Sequence, residues 1–334
     1  MQIALISDPL TTNYSNKVNR VLESHHNSVI ECVTSAIEKL GHKVECIEVT
    51  NELKEQILRI KPKIVFNRSL RKDIKSELAL TPSLLDELNI PYTGSNAEAC
   101  ISAFNKNKAK HILREAGIPT PKSCLISDSR DIQIPQSLSY PLFIKPNKGG
   151  CSRGIDERNP VSSKGSCIEI VRSTIEQNHQ PALIEEFING REFTVGILGN
   201  DPPRTLPILE FIHDVSEDNN FPFRGFNIKM IEYKECEKTS CPAIFSKTEE
   251  DRIKNIALDT YQAIGCRDYA RIDIRCDNDG IPYILEVNAL PSLIPNESSF
   301  AEMAETAGIS FENLIGTIMI SACDRYGINF EQLK

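Results

Sequence analysis

The chain has 334 residues, 40% hydrophobic and 25% charged, with a net charge of −8. That length admits roughly one to three domains with a sizeable core and no need of disulfides. The acidic balance argues against a nucleic-acid backbone or an anionic membrane surface as partner.

Residues 2–7 already read as a strand, with no basic and apolar leader before them. No apolar run approaches the roughly 18 residues of a membrane span, so a cytoplasmic protein is expected. The eleven cysteines are odd in number and scattered without a Cys-x-x-Cys pair. They read as reduced, small hydrophobes rather than metal ligands or disulfides.

In chain order, Ile3 to Ile6 predicts a strand. Ser28 and Glu31 fit a capping box, and Ile30, Val33, Ile37 and Leu40 recur at helical spacing until Gly41. Strands over 44–49 and 63–66 flank a short helix over 51–60. The resulting βαβαβ pattern predicts a parallel sheet. No Gly-x-Gly-x-x-Gly follows the first strand, which counts against a dinucleotide-binding domain. Pro91-Tyr92-Thr93-Gly94-Ser95 is a turn-rich break. Beyond it the pattern predicts a helix over 105–115, strands over 124–127, 142–145, 182–187 and 192–198, and a helix over 247–264. The polar, aperiodic stretch 217–239 predicts a long loop of the kind that often carries function.

Near the C-terminus, Arg271-Ile272-Asp273-Ile274-Arg275 and Glu286-Val287-Asn288 alternate around Asp277-Asn278-Asp279-Gly280. With Asp279-Gly280 as a two-residue turn, Asp273 falls opposite Glu286 and Arg271 opposite Asn288. Arg271, Asp273, Glu286 and Asn288 then share one face, and Ile272, Ile274, Leu285 and Val287 the other. Two opposed carboxylates repel unless a cation lies between them. Oxygen ligands point to a hard ion, Mg²⁺. A solvated hairpin with an Arg–Asp pair would show the same alternation.

Upstream, the glycine-rich segment 149–154 follows a strand carrying Lys145. Its glycines let backbone N–H groups approach phosphate oxygens without Cβ clashes. Lys148 and Arg153 add charge, but the P-loop pattern is absent. A buried lysine such as Lys145 needs an anionic partner.

These blocks, in this order, resemble the ATP-grasp superfamily and within it the D-alanine–D-alanine ligase family. The blocks are Pro91-Tyr92-Thr93-Gly94-Ser95 with Phe104-Asn105-Lys106, Phe143-Ile144-Lys145-Pro146, and Leu183-Ile184-Glu185-Glu186-Phe187-Ile188 with Gly190-Arg191-Glu192. Arg271-Ile272-Asp273 with Leu285-Glu286-Val287-Asn288 completes them. The resemblance implies an α/β and α+β protein: an N-terminal parallel α/β (pre-ATP-grasp) domain over 1–93, then a two-subdomain ATP-grasp fold over 94–184 and 185–334. It implies ATP and Mg²⁺, with Mn²⁺ as the alternative ion, in a ligase joining a carboxylate to an amine through an acyl phosphate. Lys106, Lys145 and the backbone of Gly150, Cys151 and Ser152 would bind phosphates. Glu185, Glu186 and Ile188 would meet the adenine and Glu192 the ribose. Asp273, Glu286 and Asn288 would hold the metal. Arg271, aided by the backbone at Ser292, would stabilise the tetrahedral intermediate. Segments 149–154 and 217–239 are the candidate lids.

The chain departs from the family pattern in its amino-acid half. The first loop, Ser7-Asp8-Pro9-Leu10, lacks the family's Gly-Gly-x-Ser and its following glutamate. Ala289-Leu290-Pro291-Ser292-Leu293 stands where the family often has Ser-Pro-Gly-Met. Glu23, His25, Arg68, Arg71, Ser298 and Ser299 are the replacement candidates for substrate. Small carboxylates and amines, amino acids or short peptides, are the expected substrates, with different amino acids preferred over a D-alanine pair. A true D-alanine–D-alanine ligase and a silent ATP-binding regulator stay open as alternatives, as does a homodimer against a monomer.

Overall fold

The computed structural model describes residues 2–9, 16–69, 80–150, 154–213, 221–223 and 238–330, with only the backbone of 16–22. Strand β1 (Gln2–Ser7) is paired in parallel with β2 (Lys43–Glu48) on one side and β3 (Ile64–Arg68) on the other. Both faces of this sheet are covered, as parallel sheets require. Ile3 and Leu5 face a core shared with Val33 and Ile37, while Ala4 and Ile6 face one shared with Leu53 and Ile57.

Val33 and Ile37 belong to α1 (Asn16–Lys39), and Leu53 and Ile57 to α2 (Leu53–Ile60). The capping box expected at Ser28 is corrected. Ser28 lies inside α1, which begins twelve residues earlier. A serine followed three residues on by glutamate fits a helix interior equally well when the apolar stripe continues past it. Gly41 does end the pattern, at φ +88°, and His42 N–H donates to the Ile37 carbonyl in a Schellman-like closure.

Helix α3 (Leu80–Glu87) leads to the Pro91–Ser95 break. Tyr92 bridges to Val65 beside β3, and Gly94 N–H donates to the buried Asp268 carboxylate at 2.7 Å. Helices α4 (Ala97–Phe104) and α5 (Lys106–Glu115) follow, capped by Asn96 and Asn105. A four-stranded antiparallel sheet comes next, in the order β4 (Ser123–Ile126), β7 (Ala182–Glu186), β5 (Leu142–Pro146), β6 (Pro160–Val161). It is backed by α6 (Lys164–Asn178).

A six-stranded antiparallel sheet lies beyond. Its order is β11 (Lys238–Ser240), β10 (Leu209–Ile212), β8 (Glu192–Leu198), β12 (Tyr269–Cys276), β13 (Pro282–Asn288), with β9 (Arg204–Thr205) on β8. Helix α7 (Lys247–Ile264) packs on its inner face with α4 and α5. Helices α8 (Ser299–Thr306) and α9 (Phe311–Arg325) join the core under α1. The expected boundary at 184/185 falls inside β7. Main-chain pairing carries that strand to Glu186, and the two antiparallel sheets part between Glu186 and Glu192.

Among the described residues no single helix is long and apolar enough to cross a membrane. The bent pair α8–α9 passes on composition, but its apolar side chains fill the core. The nine described cysteines are all free. Most of the candidate lid at 217–239, together with 151–153 of the glycine loop, lies outside the described residues.

Candidate active site

The two antiparallel sheets enclose a cleft of about 750 Å³, counting its open mouth. From the four-stranded sheet it receives Phe143, Lys145 and Glu185; from the six-stranded sheet, Glu192, Asp273, Arg275 and Glu286. Glu186, Phe187, Ile188 and Leu285 also line it.

Lysines dominate one end. Lys106 opens α5, and buried Asn147 at the end of β5 fixes it there. Asn147 O accepts from Lys106 N, Asn147 Oδ1 accepts from Asn107 N at 2.9 Å, and Asn147 Nδ2 donates to Asn105 Oδ1 at 3.0 Å. Lys106 Nζ donates to the Gly149 carbonyl at 2.8 Å and lies 3.5 Å from Glu286 Oε1. One helical turn on, Lys110 is buried as deeply. Its Nζ donates to Thr120 Oγ1 at 2.8 Å, and Thr120 donates onward to the Ile284 carbonyl at 2.8 Å.

Glu185 sits between two cations. Lys145 Nζ is 2.5 Å from Oε1, and Lys110 Nζ is 2.9 Å from Oε2, off the angle of a hydrogen bond. Burial pushes the Glu185 carboxyl up, but Lys110 and Lys145 outweigh it and hold the group below the usual carboxylate range. Burial draws the Lys106 ammonium down against the opposing pull of Glu286. Lys110, likewise desolvated, is lowered to about 8. The sequence reading missed Lys110 and the role of Asn147. The i, i+4 spacing of Lys110 from Lys106 was the available signal.

The hairpin carries the other end. Asp273 lies opposite Glu286 and Arg271 opposite Asn288, the expected pairs. The turn and one face are corrected. Asp277 N–H donates to the Ile281 carbonyl and Gly280 takes φ +75°, so the loop holds three residues rather than two. A bulge at Leu285 restores the register, since Asp273 pairs with Glu286 but Ile274 with Ile284. Ile284 therefore joins Val287 in the core, while Leu285 turns to the cleft.

Asp273 is held by Arg271 through Nε and Nη2, each at 2.9 Å, by Thr194 Oγ1 at 2.7 Å and by Asn288 Nδ2 at 2.9 Å. Each opposed carboxylate thus has its own cation, Arg271 for Asp273 and Lys106 for Glu286. No group of three or more His, Cys, Asp or Glu side chains among the described residues gathers at one point. The donors available to a hard cation are two carboxylates, with the Asn288 amide contributing its oxygen only if turned over.

The remaining candidates scatter. Glu186 N–H is taken by the Lys122 carbonyl and its side chain accepts from Ser139 N at 2.8 Å. Glu192 meets His213 Nε2 at 2.9 Å and Arg275 Nη1 at 3.2 Å. Gly150 has open space where a Cβ would be; Cys151, Ser152 and Arg71 lie outside the described residues.

At the C-terminal ends of β1 and β3, Ser69 Oγ donates to Asp8, and Arg68 Nη1 donates to Tyr269 OH at 3.0 Å. His26 joins this group. Burial lowers its pKa first; Asp8 raises it, Arg68 lowers it and Glu48 raises it. His25 Nε2 lies 3.0 Å from Ser292 Oγ. Glu23 is exposed on α1. Ser298 is buried as the α8 cap, accepting from Ile294 N and Ala301 N and donating to Ile294 O; Ser299 is buried beside it.

Residues 112–320 match the model of the D-Ala–D-Ala ligase C-terminus. The chain belongs to the D-alanine–D-alanine ligase family. It is 31% identical to a D-alanine–D-alanine ligase of Methylacidiphilum infernorum, over 86% of this chain and 88% of that one. The fold matches a D-alanine–D-alanine ligase of Bacillus anthracis complexed with ATP, at TM-score 0.75, 23% identity, and 98% and 99% coverage. It also matches the VanG D-Ala:D-Ser ligase of Enterococcus faecalis, at TM-score 0.73, 21% identity, and 96% and 99% coverage. Family membership makes this chain an ATP-dependent ligase that forms carbon–nitrogen bonds. The family's ATP-grasp architecture accounts for the two antiparallel sheets facing each other across the cleft.

Proposed function

We propose that this chain joins a small carboxylate to an amine through an acyl phosphate, with amino-acid substrates other than a pair of D-alanines. The observation that carries the reading is the cleft with Lys145 and Glu185 on one sheet and the Asp273–Glu286 pair on the other. A carboxylate is a poor electrophile. Its oxygen attacks the γ-phosphorus of ATP and ADP leaves; the amine then attacks the acyl carbon, phosphate leaves with the C–O bond electrons, and the nitrogen loses its extra proton to solvent.

Lys106 and Lys145 neutralise the phosphate oxygens, and backbone N–H groups around Gly150 join them. Phe143 and Phe187, stacked with centroids 6.2 Å apart, offer an apolar wall for the base. Glu185 and Ile188 meet the base, and Glu192 meets the ribose. Asp273, Glu286 and Asn288 would hold Mg²⁺, which supplies charge neutralisation during phosphoryl transfer. Arg271, fixed by its fork on Asp273, faces the developing oxyanion beside Ser292.

The substrate reading rests on the edge of the parallel sheet. Asp8, His26 and Arg68 gather there, and Arg68 Nε is buried without a hydrogen-bond partner among the described residues. A guanidinium with an unused donor suits a carboxylate-bearing substrate. Ser298, by contrast, is engaged in capping α8. The test is ADP release with Mg²⁺ for D-alanine alone against a library of L- and D-amino acids. A partner amino acid at least tenfold better in kcat/KM than D-alanine is expected; each tenfold is about 1.4 kcal/mol. Efficient D-alanyl-D-alanine formation with no better substrate would overturn the substrate reading. No ADP with any substrate would overturn the ligase reading.

A further inference from the structure

Arg275 is a buried guanidinium on the cleft wall for which the phosphoryl-transfer chemistry has no use. It is 3% exposed and shares the strand face of Arg271 and Asp273, four and two residues before it. In the pairing of β12 with β8 it stands directly opposite Glu192. Its Nη1 donates to Glu192 Oε2 at 3.2 Å and to the Pro222 carbonyl at 2.9 Å, and its Nη2 donates to the Gly190 carbonyl at 2.8 Å. The guanidinium carbon lies 4.7 Å from the centroid of the Phe187 ring.

One side chain therefore ties together the edge of the cleft: the turn between β7 and β8, the carboxylate of Glu192, the ring of Phe187 and the segment at 221–223. His213 Nε2 meets the same oxygen of Glu192, Oε2, at 2.9 Å. A carboxylate gripped at one oxygen from two directions cannot rotate freely. A methionine or leucine at 275 would fill the same volume, so packing alone does not explain a charged fork there. Burying that fork is costly unless its hydrogen bonds are needed.

We propose that Arg275 is a positioning residue for nucleotide recognition: it holds Glu192 in the orientation that takes the ribose hydroxyls of ATP. The inference rests on the reading of Glu192 as the ribose group. It assigns to Arg275 the ability to tell a ribose from a sugar without hydroxyls, separate from the affinity for base and phosphates. His213 is the second support of the same carboxylate.

The experiment measures Kd for ATP and for 2′,3′-dideoxy-ATP by calorimetry with Mg²⁺, which needs no amino-acid substrate. The readout is the ratio of the two constants in the wild type and in the Glu192→Gln, Arg275→Met and Arg275→Lys variants. The wild type should favour ATP by roughly tenfold or more, because a site built to pair with hydroxyls rejects an analogue lacking them. Glu192→Gln should bring the ratio to within about threefold of unity, and Arg275→Met should follow it. Arg275→Lys, which keeps the charge but not the fork, should fall between and also serves if the methionine variant does not fold. A merely structural Arg275 would weaken both nucleotides equally and leave the ratio untouched. The proposal is overturned if Glu192→Gln loses the ratio while both Arg275 variants retain it. If Glu192→Gln itself retains the ratio, the ribose reading of Glu192 fails, and the role of Arg275 fails with it.

Discussion

The imidazole Nε2 of His25 lies 3.0 Å from the hydroxyl of Ser292, across 267 residues of sequence. This contact joins α1, which covers the parallel sheet, to the segment that follows Asn288 at the end of the hairpin. It places a side chain from the first forty residues beside the segment expected to flank the tetrahedral intermediate. His25→Ala should therefore raise KM for the amino-acid substrate several-fold and leave Kd for ATP within about twofold. Removing one half-buried hydrogen bond should lower stability by about 1 kcal/mol. Substrate titration by ADP release, beside nucleotide calorimetry, separates the two effects. An equal loss in both would make the contact a general structural tie.

Removing either carboxylate of the hairpin should abolish turnover, but the two variants should differ in stability. From the sequence, opposed carboxylates repel, so removing either should leave stability unchanged or raise it. The structure reverses this for Asp273, which receives four hydrogen bonds from Arg271, Thr194 and Asn288. Asp273→Asn leaves the buried Arg271 guanidinium without its fork partner and should cost about 2–4 kcal/mol. Glu286→Gln, whose nearest cation among the described residues is 3.5 Å away, should cost less than about 1 kcal/mol. Urea unfolding reads the stabilities, and Mg²⁺-supported ADP release should fall at least a hundredfold in both variants. Near wild-type turnover in both would leave the hairpin a purely structural element.

Lys110 predicts opposite pH trends for binding and stability. Burial is the largest influence on its ammonium and lowers it to about 8; Glu185 pulls the other way, and Lys145 and Arg114 add to the lowering. The charged form is thus half lost at about pH 8 and nearly complete only about a unit below it. An anionic nucleotide favours that form, so Kd for ATP should rise several-fold between pH 7 and 9.5, on the order of one proton's linkage. Lys110→Met should flatten the profile. The unfolded chain keeps its proton up to the ordinary lysine value of 10.5. In the window from about 8 to 10.5 the unfolded state therefore binds more protons, and this group's contribution makes the native state more stable as pH rises. A wild-type ATP profile as flat as that of the variant would remove Lys110 from nucleotide binding.

Gly190 sits where the chain turns from β7 into β8, at φ +154°. A Cβ there would meet the Cys276 carbonyl oxygen at 2.1 Å, and Cys276 is itself anchored by its N–H to the Arg191 carbonyl. Neither backbone can yield without breaking the sheet. Gly190→Ala should lose about 2–4 kcal/mol in urea unfolding. Because the Gly190 carbonyl accepts from Arg275, nucleotide affinity should fall as well. An alanine variant of wild-type stability would mean that the turn relaxes freely.

The sequence by itself determined the elements whose signals are local. The βαβαβ alternation gave the parallel sheet, and the 247–264 periodicity gave α7 to the residue. Even the Asp273–Glu286 opposition was legible, although two departures cancelled: a three-residue loop and a bulge at Leu285. Strand alternation has period two, so one residue more in the loop and one more in the strand return the carboxylates to the same face. What only the tertiary structure decided is which distant groups meet. Lys110 grips Glu185 across 75 positions, Arg275 grips Glu192 across 83, and His25 meets Ser292 across 267. Periodicity states which face of an element is apolar, but it carries no information about which buried charge will lie opposite another. That choice falls to the packing of whole sheets and helices, where an unpaired charge is too costly to bury and each ammonium or guanidinium in the cleft has come to rest against a carboxylate.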